Sequence, residues 1–142
     1  MKTYQHLFFD LDHTLWDYDR NVRESLSELY QIYQLDKLGI PSFSQFFDAF
    51  HHVNFQLWDD YNLGKIDKKG LREVRFPKIF RAAGGDEQTI PEAFEADFMH
   101  RTSSKSHLFP HSKEILGYLK KSYRLHVITN GFNESQEKKM RS

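Results

Sequence analysis

Asp10 and Asp12 are the residues whose types and spacing first suggest chemistry. They sit in Phe9-Asp10-Leu11-Asp12-His13-Thr14-Leu15, directly after the apolar run Leu7-Phe8-Phe9. In open α/β sheets, reactive groups lie beyond the carboxyl ends of the strands. A carboxylate there can attack phosphorus and become an aspartyl-phosphate. A second one, two residues on, can protonate the leaving oxygen and later activate water. Two carboxylates this close repel each other unless one is protonated or a cation lies between them. Magnesium takes oxygen ligands and bridges to substrate phosphate, so the pair implies a metal held by Asp10 and Asp12. The plainer reading is an Asp-rich capping turn ahead of a helix.

A second group of interest is Thr129-Asn130-Gly131. A hydroxyl at a strand end, a glycine and then a helix start form a corner where backbone N–H groups and the helix dipole face an anion. Alone, Asn-Gly after a strand is more often only a turn. Its weight comes from pairing with the first motif.

The elements that would position these groups are readable from periodicity. Tyr4 to Leu11 reads as a short strand, with Leu7, Phe8 and Phe9 unbroken by polar residues, as in a strand covered on both faces. Asn21 to about Leu35 reads as an amphipathic helix with the stripe Val22, Leu26, Leu29 and Tyr33, and Asn21 with Glu24 has capping-box spacing. Ser42 and Gln45 open a second helix with the stripe Phe46, Phe50, Val53, Leu57 and Tyr61, stopped at Gly64. A third covers about Lys68 to Ala83, with a kink expected at Pro77. A fourth begins near Pro91 and carries Phe94 and Phe98. Residues 21–101 therefore read as all helical. Pro110 then precedes a helix over about His111 to Lys121. Arg124 to Ile128 reads as a second strand, and Asn133 to Ser142 as a last helix.

Composition narrows the function classes. Lys plus Arg number 20 and Asp plus Glu number 20, so the net charge is zero and no strongly basic nucleic-acid face is implied. With no cysteine, disulfides and thiolate metal sites are impossible. No apolar run reaches the length of a membrane span, and Leu7-Phe8-Phe9 is too short for a secretory signal. The default compartment is the cytoplasm.

On these residues a resemblance can be stated. Asp10-Leu11-Asp12-His13-Thr14-Leu15 resembles the first motif of the haloacid dehalogenase superfamily, and Val127-Ile128-Thr129-Asn130-Gly131 resembles the second. The helical stretch between them resembles the cap that many members insert after the first motif. Asp-His-Thr-Leu-Trp-Asp at 12–17, and Thr-Asn-Gly-Phe at 129–132 followed by Gln136 and Lys138-Lys139, look most like the pyrimidine 5′-nucleotidase subgroup.

The resemblance implies an α/β fold: a Rossmannoid parallel sheet, incomplete here, with an inserted all-helical cap. The core would comprise 1–16 and 102–142, and the cap 17–101. It implies a magnesium-dependent phosphatase acting on a small phosphate monoester, with a nucleoside 5′-monophosphate as the subgroup's substrate. Asp10 would be nucleophile and metal ligand. Asp12 would be general acid/base and bind magnesium through its backbone carbonyl. Thr129 and the backbone of Asn130 would hold the phosphoryl group. His13 stands where the wider superfamily often has glycine.

Trp16 and Tyr18 follow the catalytic loop and could stack on a base. Phe47, His51 and Trp58 could do the same, although packing is the simpler role for Phe47 and Trp58. Other sugar-phosphate phosphatases and phosphomutases share the scaffold and remain open. The family also uses a Lys motif and an acidic motif after the second one. Only residues 132–142 remain for them, and Lys138 and Lys139 follow Thr129 too closely to take the Lys role by family order. The expectation is therefore an incomplete and, by itself, inactive chain. If it folds alone, a homodimer or domain swap would cover its open sheet edge, and the fragment would act only through association.

Overall fold

The computed structural model describes residues 3–142. The expected core starts at residue 1, and residues 1 and 2 lie outside the described residues. The chain divides into two compact units, one of residues 1–22 with 102–142 and one of residues 23–101. The expected division lay at 16/17. The structure places 17–22 with the first unit, because Asp17 N–H donates to the His107 carbonyl at 3.0 Å and Asn21 binds the same residue.

The first unit holds the two strands, β1 (His6–Phe9) and β2 (Arg124–Val127). They pair in parallel, Phe8 opposite His126 and Phe9 opposite Val127. The ladder extends by Arg124 N–H to the Gln5 carbonyl and Ile128 N–H to the Phe9 carbonyl, both at 2.9 Å. A parallel pair needs a long crossover, and here that crossover contains the whole second unit.

The expectation that β1 is covered on both faces is not met. Its residues alternate between exposed and half-buried, with Phe8 65% exposed, and beyond β2 Ile128 is 62% exposed. Each strand has one neighbour, so side chains on one face of the pleat meet no second layer among the described residues. Phe8 instead stacks on the His126 ring, centroids 4.8 Å apart. The unit's core lies where the chain leaves β1: Leu11, Leu15 and Trp16 are buried, with Phe9, Tyr18, Leu108 and Leu116 packed around them.

Helix α1 (Tyr18–Ile32) starts three residues earlier than the capping-box spacing suggested. Asp17 caps it, accepting the Arg20 N–H at 3.2 Å. Asn21 is buried in the first turn, and its side-chain amide pairs with both backbone groups of His107, at 2.9 and 3.1 Å. The remaining elements of this unit are α5 (Ser112–Leu119) and α6 (Asn133–Arg141).

The second unit is all helical among the described residues. It contains most of α1, then α2 (Phe43–Asn62), α3 (Lys68–Ala82) and most of α4 (Phe94–Ser104). Ser42 caps α2 as its spacing suggests, its Oγ accepting the Gln45 N–H and its hydroxyl donating to the Gln45 side-chain oxygen, and Gly64 closes the helix at φ 72°. Asp67 caps α3, which continues through Pro77. The expected stripe of α2 is buried at Phe46, Phe50, Val53 and Leu57. Phe46, Phe50, Phe76, Phe80, Phe94 and Phe98 interlock mainly edge to face, the geometry their ring quadrupoles favour. Arg75 lies inside this unit at 3% exposure, paired with Glu95 and facing the Phe98 ring. Phe47 packs under the Arg23 guanidinium, 4.8 Å from its centroid, and His51 sits edge-on to Phe47.

Candidate active site

Past the last residue of β1, the chain folds into a tight turn. The N–H groups of Thr14, Leu15 and Trp16 converge on the Leu11 carbonyl at 2.9–3.3 Å. His13 occupies the left-handed region at φ 63°, and its ring lies 4.5 Å from that of Tyr18. A residue with a Cβ pays a modest strain there, and His is among the types that tolerate it. The turn is braced by the segment 105–112: Phe109 N–H and the Ser112 hydroxyl reach the Leu15 carbonyl, and Trp16 Nε1 donates to the Lys105 carbonyl at 3.1 Å.

This turn presents Asp10 to solvent. One of its oxygens, Oδ2, accepts the Thr14 hydroxyl at 3.2 Å. The other takes no hydrogen bond from a described residue, so it is free to act as a nucleophile.

Asp12 is in a different setting. Its Oδ1 accepts the Lys139 ammonium at 2.8 Å and its Oδ2 accepts the Gln136 amide at 2.9 Å. The same Gln136 nitrogen donates to Thr129 Oγ1 at 2.7 Å. A primary amide has two N–H groups, one for each acceptor. The carboxylate of residue 12 and the hydroxyl of residue 129 are therefore linked through a single nitrogen, across 117 positions of sequence. The two sequence motifs form one site.

Thr129 Oγ1 also accepts the Gly131 N–H at 3.1 Å. Both hydroxyl lone pairs are then engaged, which leaves the O–H to donate outward. A phosphoryl oxygen is a suitable acceptor. Asn130 beside it is exposed. Gly131 is not in the left-handed region that an Asn-Gly turn commonly requires. Its role is space: a Cβ there would lie 2.4–2.9 Å from three atoms of the Gln136 side chain.

Two expectations change. Trp16 is 1% exposed and forms part of the core, so it cannot stack on a substrate. Its indole needs burial because it packs against Leu11 and Leu15 and because its N–H has a backbone partner. Tyr18 is half-buried against His13 and the edge of Trp16. The argument from paired carboxylates to a metal is also weakened, since the cation beside Asp12 is Lys139.

Lys139 and Gln136 are the site residues that sequence reasoning missed. Both belong to the subgroup pattern, and family order excludes Lys139 from the Lys role. Their signal was helical phase: three positions apart on α6, they share a face. The Lys139 ammonium lies 4.1 Å from the Trp16 ring centroid. Burial pushes its pKa below the ordinary 10.5, and the Asp12 carboxylate opposes that shift.

Magnesium fits in part. Among the described residues no group of three or more His, Asp or Glu stands ready to hold a metal ion. Asp10 Oδ2, which accepts one hydroxyl and keeps a lone pair, and the Asp12 carbonyl are two oxygens that could serve as ligands, leaving the other Asp10 oxygen for attack. Magnesium often makes do with one or two carboxylates, completing its shell with waters and substrate phosphate.

No family profile matches the chain. It is 29% identical over 134 residues to the pyrimidine 5′-nucleotidase PynA of Streptococcus pneumoniae, covering 94% of this chain and 54% of that protein. It is 22% identical over 141 residues to the HAD-hydrolase YfnB of Bacillus subtilis, covering 99% of this chain and 57% of that one. The chain thus spans about half the length of the curated relatives it matches. A crystal structure of YfnB bound to magnesium superposes with a TM-score of 0.82 at 21% identity, over 99% of this chain and 60% of that one. The fold is that of YfnB, and the sequence is similar to hydrolases of the haloacid dehalogenase type, in agreement with the resemblance carried by Asp10, Asp12 and Thr129.

Proposed function

We propose that this chain carries the phosphoryl-transfer site of a magnesium-dependent phosphatase that hydrolyses a small phosphate monoester, a nucleoside 5′-monophosphate being the favoured substrate. The observation that carries the reading is the Gln136 bridge, which sets the Asp12 carboxylate beside the Thr129 hydroxyl. The similarity to PynA supports the nucleotide preference.

Asp10 attacks phosphorus through its free oxygen. The Asp10–phosphorus bond forms, the bond to the leaving oxygen breaks, and a proton from Asp12 goes to that oxygen. Water then attacks the aspartyl-phosphate, Asp12 takes its proton, and Asp10 is released with inorganic phosphate. Thr129 donates to a phosphoryl oxygen throughout. Magnesium, held by the Asp10 carboxylate and the Asp12 carbonyl, would neutralise charge on the phosphoryl group.

The test is hydrolysis of a panel of nucleoside 5′-monophosphates and sugar phosphates with magnesium and with chelator. Asp10→Asn should lower turnover by at least about a thousandfold, as loss of a covalent nucleophile does elsewhere. Substantial residual turnover would overturn the assignment of Asp10. Preference for sugar phosphates would move the reading to another phosphatase of the superfamily.

A second reading, association without catalysis, draws on the exposed apolar residues of the sheet, Phe8, Val127 and Ile128. Exposed strands of this kind recruit other strands. Sedimentation as a monomer across the micromolar range, or hydrolysis by the chain itself, would overturn it.

A further inference from the structure

We infer that Gln136 and Lys139 are positioning residues for leaving-group protonation, a two-point clamp from α6 that fixes the Asp12 carboxylate while tying it to Thr129. The inference rests on the phosphatase reading above. Three observations carry it.

First, each donor takes a different oxygen of Asp12, at 2.8 and 2.9 Å, so the plane of the carboxylate is set as well as its place. Second, both donors are built into the protein: Gln136 is 2% exposed and the Lys139 side chain 7%. Lys139 is held from the other side by the Trp16 ring and, at 5.9 Å, the Tyr18 ring. Third, the backbone makes room for the clamp, since any side chain at residue 131 would strike Gln136. A surface ion pair shows none of these features. Among the described residues Asp10, by contrast, receives a single hydroxyl and keeps an oxygen free. The clamp therefore acts on the proton-transfer group and not on the nucleophile. A carboxylic acid must meet the leaving oxygen within hydrogen-bond reach, and a misplacement of about 1 Å can cost roughly a hundredfold in rate.

This sets a signature that loss of structure does not produce. Ester bonds with poor alkoxide leaving groups need the proton, whereas p-nitrophenolate leaves with little help. In the full chain, Lys139→Met and Gln136→Leu should lower kcat for a nucleoside 5′-monophosphate by roughly a hundredfold, within the range of general-acid effects. The fall for p-nitrophenyl phosphate should be at least about tenfold smaller, with KM shifted less than about threefold. Lys139→Arg should recover most of the loss. An equal fall for both esters, or none, would overturn the inference. If the wild-type chain hydrolyses neither ester with magnesium, that result counts against catalysis by this chain alone and not against the clamp. The clamp is then read by urea unfolding of Asp12→Asn, Lys139→Met and the double variant. A coupling of about fivefold or more in the unfolding constant is expected, and one below about twofold would overturn it.

Discussion

The Asp10, Asp12 and Thr129 positions are legible because the chemistry is local. Each sits where a strand runs out, and the spacing of two aspartates is visible without a fold. What spacing cannot give is the second ring of contacts. Gln136 and Lys139 reach Asp12 only because α6 has a particular phase and because residue 131 has no side chain. Trp16 was misread for a related reason: its neighbours Leu11 and Leu15 make it core, and that grouping appears only once the turn is folded. Gly131→Ala tests the space argument. Its Cβ would displace Gln136, unlinking Asp12 from Thr129. The Gln136 side chain can swing aside, so the expected stability cost is that of its lost hydrogen bonds, about 0.5–1.5 kcal/mol each. Urea unfolding and turnover should both decline, and retention of wild-type turnover would refute a spatial role for the glycine.

At the level of elements, the helices of residues 21–101 are legible through period and caps, and Ser42 with Gln45 behaves as its spacing suggests. The start of α1 is not. Asn21 has the right type and offset for a cap, but its amide is taken by the backbone of His107, and Asp17 caps instead. Side-chain amides serve either purpose, and tertiary contact decides which. The strands were recognised in place and direction but not in burial, since a continuous apolar run does not state how many layers cover it. Asn21→Ala should remove the partner of the His107 N–H, while the His107 carbonyl keeps the Asp17 N–H, at a cost of about 1 kcal/mol for the one part-buried donor. Thermal unfolding checks this. A loss below a few tenths of a kcal/mol would mean that water replaces the amide and that the brace between α1 and residues 105–112 is dispensable.

For the molecule as a whole, stability should carry a distinctive pH dependence. The folded state binds the Lys139 proton less tightly than the unfolded chain does, because burial disfavours the ammonium. The unfolded chain therefore holds more protons between the depressed folded pKa and 10.5, and stability from this group rises with pH across that window. It is fully present above 10.5 and lost as pH falls through the folded value. Tyr30 and Tyr33 act in the opposite sense, since burial and nearby carboxylates raise both above 10.0 and favour the folded state only below their ionisation. The difference in urea stability between wild type and Lys139→Met isolates the lysine. It should move in favour of wild type as the solution is made alkaline toward 10.5. A flat difference would show that Lys139 is solvated.

The placement of the Lys139 ammonium over the Trp16 ring has an optical consequence. In a Trp58→Phe background, the remaining indole is the sole strong emitter, enclosed in the β1 turn and facing a charge delivered by the final helix. Its emission colour and intensity report whether that helix is seated, so docking of the last nine-residue element can be followed in real time during refolding without any attached dye.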